Sequence, residues 1–398
     1  MARLDPSRIS VLHLNAARTW RGGEQQTLYL AEGLAKAGIR QAIIGRPGSE
    51  LSSRASDKGI EFIPLAMGSE ADFLSAFRIA TIAREGSYRI LHAHTAHAHS
   101  LAILARLFFR DLRVVVTRRV DFHIRGLSGL KYRTSLVDRF CAISANVRDI
   151  MLHDGVPEDR IRLAYSGIDL KRFKKLPSSA DLRKEFRIGR ELVVGCVGAL
   201  VDHKDQRTLI RAFGSLPEAG EKIGRGIMPR AVLVLVGDGN LKEEYEQIAR
   251  DLFGVGLKAR GHRIVFAGFR ADIPAFLSLF DIFAMSSKEE GLGTSVLDAM
   301  AAGLPLAVTD GGGLREMADP GKGALVSPAR DPERRHASGR THRHGSVGRA
   351  GQLRDQPDLF QTPARFHASP AIRPRRLQHC KSARPVPAGR AACGVTSD

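Results

Sequence analysis

Glu290 and Asp298 stand eight residues apart, on either side of Gly291-Leu292-Gly293-Thr294. If a helix begins near Thr294, the two carboxylates sit about two turns from each other along it. Free backbone N–H groups at such a helix start make a site for an anion such as a diphosphate. The carboxylates can then accept hydrogen bonds from hydroxyls on either side of that anion. A diphosphate flanked by two polyols is the outline of a nucleotide sugar. Gly291 and Gly293 let the backbone approach closely around Leu292.

Other segments offer groups to the same kind of ligand. Gly198-Ala199-Leu200-Val201-Asp202-His203-Lys204 follows an apolar run and precedes a helical pattern. Lys204 therefore lies at a cleft edge, as a mobile point charge for a phosphate. Gly22-Gly23 falls between the first strand and the first helix and reads as a loop covering the diphosphate from the other side. Gly237-Asp238-Gly239 either lines the nucleotide cleft or caps the helix after it.

His92, His94, His97 and His99 cluster around a strand end. Residues two apart on a strand share a face, so His92 and His94 are neighbours. No carboxylate or thiol lies nearby in sequence. The expectation is polar contact with an acceptor, chiefly from His94 or His97, and no bound metal. Arg118, Arg119, Arg125, Lys131 and Arg133 are interleaved with Phe122, Leu127 and Leu130. This is either an ordinary exposed loop or a seat for an anionic leaflet.

These residues need elements to hold them, and the apolar pattern supplies two series. In the first, strands are expected at Ile9–Leu14, Ile39–Ile44, Ile90–Ala93, Arg113–Thr117 and Phe140–Ile143. Helices are expected at Glu24–Ala37, Asp72–Arg84, His97–Phe109 and Ala145–His153, the last N-capped by Ser144. The pattern restarts after a Lys-, Pro- and Ser-rich stretch. Strands are then expected at Leu192–Val197, Ala231–Val236, Ile264–Phe266, Ile282–Met285 and Leu306–Val308. Helices are expected at Gln206–Ser215, Leu241–Leu252, Ile273–Leu279 and Thr294–Ala302. Alternating strands and helices predict an α/β protein of two doubly wound, Rossmann-like halves facing a cleft, with ligands at the carboxyl ends of the strands. The expected division is 1–170, a linker at 171–190, a second domain at 191–333, and a tail at 334–398.

The 398 residues carry a net charge of +19 and 43% hydrophobic residues, enough for two domains with real cores. The charge is uneven. Residues 1–175 carry +11, residues 176–333 carry −2, and residues 334–398 carry +10. A basic first half suits an anionic partner, nucleic acid or an acidic membrane, or is simply a soluble basic surface. Four cysteines without a Cys-x-x-Cys spacing read as free thiols in a reducing compartment. Neither an apolar leader nor a run of ~18 apolar residues is evident, which predicts a cytoplasmic protein.

Beyond Glu333 there is no Glu, Met, Trp or Tyr, and nine of 65 residues are Leu, Ile, Val or Phe. Such a stretch buries too little apolar surface to offset its ordering entropy. It is either a disordered basic tail or, as preferred here, the product of a shifted reading frame.

Taken together, the chain resembles the GT-B glycosyltransferases of the large retaining family four, over about residues 9–330. The matching segments are Thr19–Glu24, Tyr165–Asp169, Gly198–Lys204, Val236–Gly239, Gly268-Phe269-Arg270, the Glu290–Asp298 block and Thr309–Gly313. Each alone is weak, but their order and spacing are specific. The resemblance implies transfer of a sugar, with retention, from a nucleoside-diphosphate sugar to an acceptor hydroxyl. No cofactor, metal or nucleic acid is implied. Glu290 would contact the donor sugar, Asp298 the ribose, and Gly268-Phe269 the base. Gly22, Gly23, Gly237 and the Gly291–Thr294 turn would complete the donor site. Lys204, Glu290 and Arg119 are the expected catalytic residues, and His94, His97 and Arg119 the expected acceptor side.

Three departures from the family pattern stand out. Ala199 replaces an Arg that contacts the diphosphate. Asp298 replaces a Glu. Arg119 occupies the place of a His, which suits an anionic acceptor or a sugar phosphate. The expected acceptor is lipid-linked or part of a surface glycan such as lipopolysaccharide, with peripheral contact to an anionic membrane. Two alternatives stay open: an inactive or unstable truncated protein that at most binds through its basic surface, and a nucleotide-sugar epimerase.

Overall fold

The computed structural model describes residues 8–126, 128–224, 226–318, 323–327 and 329, all within one compact unit. The expected tail at 334–398, and Leu127 of the basic loop, lie outside the described residues.

The N-terminal lobe is built on strands β1 (Ser10–Asn15), β2 (Arg40–Gly45), β3 (Phe62–Pro64), β4 (Ile90–Ala93), β5 (Arg113–Arg118), β6 (Arg139–Ala142) and β7 (Ile161–Leu163). They form a seven-stranded parallel sheet in the order β3-β2-β1-β4-β5-β6-β7. Helices α1 (Gly22–Lys36), α2 (Glu50–Asp57), α3 (Phe73–Glu85), α4 (Ala96–Phe108), α5 (Ser128–Arg133) and α6 (Ala145–His153) connect them. β1 is buried at all six positions, as a central strand covered on both faces must be. The helix starts follow from side-chain capping. Asp72 accepts from Ser75 N at 2.9 Å, Thr95 from Ala98 N at 3.1 Å, and Ser144 from Val147 N at 3.1 Å.

The C-terminal lobe repeats the plan. Its strands are β8 (Leu192–Val197), the hairpin pair β9 (Lys222–Ile223) and β10 (Gly226–Ile227), β11 (Ala231–Val236), β12 (Lys258–Ala259), β13 (His262–Gly268), β14 (Ile282–Met285), β15 (Leu306–Thr309) and β16 (Ala324–Ser327). Its helices are α7 (Ala180–Glu185), α8 (Gln206–Gly214), α9 (Lys242–Phe253), α10 (Ile273–Leu279), α11 (Thr294–Ala301) and α12 (Leu314–Met317). The main sheet runs β12-β13-β11-β8-β14-β15-β16, parallel except for β12. The stretch 171–190, read as a linker, carries α7 and buries Phe173, Leu182 and Ile188 in the core of this lobe.

Strand order reverses between β1 and β4 in the first sheet and between β8 and β14 in the second. Crevices open at the carboxyl ends of strands at such reversals. The loops that leave these four strands carry Asn15–Arg21, His94-Thr95, Gly198–Asp205 and Ser286–Gly293. Of the residues singled out from sequence, His94, Lys204, Glu290, Gly291, Leu292 and Gly293 lie on these loops. The lobes also share packing, because Leu292 is buried in the hydrophobic core of the N-terminal lobe, with Leu297 and Met317 against it.

Candidate active site

The loop after β14 is laced to the loop after β8. Lys288 N donates to His203 O at 2.8 Å, and Ser286 Oγ to Asp205 O at 2.7 Å. This brings Lys204 and Glu290 together as an ion pair, Nζ to Oε2, with both side chains largely buried. Ser287 Oγ donates to the same Glu290 oxygen at 3.3 Å. From behind, Gly313 N donates to Glu290 O at 2.7 Å. Gly312 has φ 57°, and a Cβ there would lie 2.4 Å from Glu290 O, so only glycine fits.

Two helix N-termini meet in front of this pair. A Cβ on Gly22, the first residue of α1, would stand 2.8 Å from Thr294 Oγ1, at the first residue of α11. Gly22 thus lets the N-terminal lobe touch the start of α11. The two helices thus start beside one another, and helix starts favour an anion. Asp298 lies on α11 and feels Arg172 and Tyr29 from the other side of the crevice. Burial raises its carboxyl to about 6.

Two family models match in tandem: a Glycosyltransferase Family 4 model over residues 20–172 and a Glycosyl transferases group 1 model over residues 191–337. The chain belongs to this family of glycosyltransferases. It is 34% identical over 178 residues to the GDP-mannose-dependent alpha-(1-6)-phosphatidylinositol monomannoside mannosyltransferase of Mycobacterium tuberculosis. That alignment takes in 42% of this chain and 43% of the mycobacterial protein, less than half the relative's length. A lipopolysaccharide core biosynthesis glycosyltransferase of Rhizobium meliloti is 27% identical over 320 residues, covering 78% of this chain and 82% of that one. Among solved structures, Anabaena HepE in complex with UDP and glucose superposes with a TM-score of 0.68 at 20% identity, over 81% of this chain and 86% of its own. The shared architecture is the two-lobed GT-B fold.

Arg119 lies where the two lobes meet. Its side chain runs beside Gly23, where a Cβ would be 3.6 Å from Arg119 Cδ. Its backbone carbonyl packs on Gly291. Its only hydrogen bonds among the described residues are long ones, Nη1 to Ser166 Oγ at 3.5 Å and Nη2 to His94 Nδ1 at 3.5 Å. Burial lowers the guanidinium to about 10, against the pull of Glu24 and Cys141, so it stays charged at neutral pH. Glu24 is itself committed to α1, accepting from Arg21 N at 3.0 Å.

The expected acceptor role of His94 meets a physical obstacle. His94 is buried, and both ring nitrogens are engaged, by His13 at 3.0 Å and by Arg119. It stands behind Arg119. His97, in the first turn of α4, is half-buried and faces Glu70 and Asp72. Leu292 is a packing residue between the lobes, so only its backbone is available to a donor. Gly237 and Gly268 lie at the ends of adjacent strands, Gly237 N donating to Gly268 O at 2.8 Å, and Phe269 is exposed beyond them.

The basic loop is also less uniform than its sequence reads. Arg118 is buried and donates to Tyr132 OH at 2.8 Å. Lys131 pairs with Glu70 at 2.9 Å, and Arg133 donates to Asp154 O at 3.1 Å.

Sequence reading passed over two groups. Asp121, on the loop after β5, reaches across to Gly312 and feels Glu289 and Glu290, and burial raises it to about 6. Glu316 on α12 caps the start of α6 in the opposite lobe, accepting from Ala145 N at 2.8 Å and Asn146 N at 2.7 Å. Neither carries a motif; only the closed arrangement of the lobes gives them partners.

Proposed function

We propose that this chain transfers a sugar, with retention, from a nucleoside-diphosphate sugar to an acceptor hydroxyl. The observation that carries the reading is the meeting of the α1 and α11 N-termini in front of the Lys204–Glu290 pair. The diphosphate lies against the paired helix starts, and Lys204 gathers charge as the leaving group departs. Glu290 orients hydroxyls of the donor sugar, and Asp298 holds the ribose. The bond from the anomeric carbon to the phosphate oxygen breaks. The acceptor oxygen bonds to that carbon on the same face, and its proton passes to the departing phosphate. Closure of the lobes, aided by Glu316 and Leu292, excludes water.

The acceptor approaches from the N-terminal lobe, with His97 at its rim. We assign it to a lipid-linked intermediate of surface-glycan synthesis, on a cytoplasmic membrane face. Supporting this, α3 and α4 expose Phe73, Leu74, Phe77, Leu107 and Phe108 beside a lobe of net positive charge. Such a patch is unusual on a soluble monomer. No helix among the described residues is long and apolar enough to cross a membrane.

The deciding experiment measures melting temperature with UDP, GDP and their sugars, then donor consumption with and without lipid-linked acceptors. Stabilisation by one diphosphate, and consumption that needs the acceptor, are the expected results. Stabilisation by none supports the inactive alternative, and turnover of donor to an epimer without acceptor supports the other.

A further inference from the structure

Behind Arg119 runs a chain of hydrogen bonds whose direction is forced from both ends. At one end Arg119 Nη2 meets His94 Nδ1 at 3.5 Å. A guanidinium only donates, so His94 Nδ1 must accept and its proton sits on Nε2. His94 Nε2 then donates to His13 Nδ1 at 3.0 Å, which leaves the His13 proton on Nε2. His13 Nε2 donates to Gln41 Oε1 at 3.0 Å. At the other end Gln41 Nε2 donates to the Ala31 carbonyl, which only accepts. Both ends dictate the same polarity, and it exists only while both imidazoles are neutral. Burial keeps them so.

His92 stands against this pair, its ring centroid 4.1 Å from that of His94, and is held by Thr117 Oγ1 at 2.7 Å. The three histidines have ring nitrogens close enough together to hold a metal ion. The oriented chain gives them a different task. A cation would have to take the His13 and His94 lone pairs and sit beside the Arg119 charge.

Arg119 itself is a buried cation with unspent donors. Its Nε is buried without a hydrogen-bond partner, and it forms no ion pair with a described carboxylate. Lys204, on the C-terminal lobe, shares its charge with Glu290. Arg119 lies beside Gly23 of α1, so it can bring a buried cation from the N-terminal lobe to a diphosphate at the α1 and α11 starts.

Resting on the nucleotide-sugar reading above, the geometry points to Arg119 as the N-terminal lobe's cation for the donor diphosphate, aimed by the His94–His13–Gln41 chain. His94, His13 and Gln41 are positioning residues. Arg119 touches the leaving group.

The test is calorimetric titration of the full chain with UDP and GDP, each beside its nucleoside. Arg119→Gln should weaken the preferred diphosphate about 10- to 100-fold, the range for a charge-assisted bond, and leave the nucleoside unchanged. Gln41→Met, partly buried at the far end of the chain, should reduce the diphosphate-over-nucleoside preference several-fold, beside the fall in melting temperature that the unpaired His13 and Ala31 groups cause. A purely structural role would lower the melting temperature and leave that preference alone. Should His13→Asn fail to fold, nitrogen NMR of wild-type His13 and His94 still decides, since both must be neutral Nε2–H tautomers. Equal diphosphate affinity in Arg119→Gln, Nδ1–H tautomers, or stoichiometric zinc surviving gel filtration would each overturn the inference. If wild type binds neither diphosphate nor nucleoside, the nucleotide-sugar reading itself has failed.

Discussion

Mild acid should destabilise this protein through its buried histidines. Burial lowers His13 from 6.5 to about 4 and His99 from 6.5 to about 3. His92 and His94 are pushed the same way, first by burial and then by neighbouring histidine charge. A pKa depressed by folding means that the unfolded chain binds protons first as pH falls through 6.5. The stability these groups contribute is whole above that pH and drains as pH falls toward the folded values. By linkage, His13 and His99 each cost about 2 kcal/mol by about pH 5. Asp121 and Asp298 work in the opposite sense, because burial raises each from 3.8 to about 6. Between neutrality and about pH 5, each returns about 1.3 kcal/mol as it protonates. The two histidines therefore win by about 1 kcal/mol, and His92 and His94 deepen the loss.

Thermal melts followed by circular dichroism between about pH 7.5 and 5 measure this. A fall of several degrees is expected, since about 1 kcal/mol shifts a lobe of this size by about 2–4 °C. His99 packs edge-on against Tyr132 at 4.9 Å and Phe140 at 5.9 Å, so His99→Phe keeps the shape and removes the titration. It should flatten the profile by about 2 kcal/mol. A wild-type melting temperature constant across the range, or an unchanged slope in His99→Phe, would refute the reasoning.

Other outcomes follow from the same geometry. Lys204→Ala should cut turnover about 100- to 1,000-fold, as loss of a leaving-group contact does, with the melting temperature reporting the cost of leaving Glu290 buried alone. Donor KM should rise as pH falls through about 6, where Asp298 protonates, and Asp298→Asn should remove that dependence. Glu316→Ala leaves Ser144 as the remaining cap of α6 and loosens lobe closure; it should cost about 1–2 kcal/mol and raise donor KM more than it lowers kcat. Phe77→Ser with Phe108→Ser should abolish sedimentation with phosphatidylglycerol vesicles and spare turnover of a soluble acceptor; equal sedimentation would remove the membrane reading.

Much of the fold was legible because strands buried on both faces read as unbroken apolar runs. Ile90–Ala93, Ala145–His153, Leu192–Val197, Ala231–Val236, Ile273–Leu279 and Ile282–Met285 have the boundaries expected. Thr95, Asp72 and Ser144 carry their caps in their own side chains. The short pieces escaped notice. β3 and β7 are three residues each, too few for a period, and β3 ends in proline at a sheet edge. α7 lies in a stretch whose Lys, Pro and Ser content reads as a spacer; what makes it structure is the contact of Leu182 with a core formed elsewhere.

The local sequence determined the order of strands and helices along the chain, and with it the connecting loops on which Lys204, Glu290 and Gly22-Gly23 would lie. Those facts need only periodicity and the length of connections. The tertiary structure alone decided what the histidines and arginines do. His13 is 81 residues from His94, and Gln41 is 28 from His13, yet each pair is in hydrogen-bond contact. β1 lies between β2 and β4 in the sheet, and this is what stacks the three side chains. Whether a polar group faces a ligand or a neighbour depends on the desolvated surroundings that distant segments build around it, and no spacing along the chain carries that information.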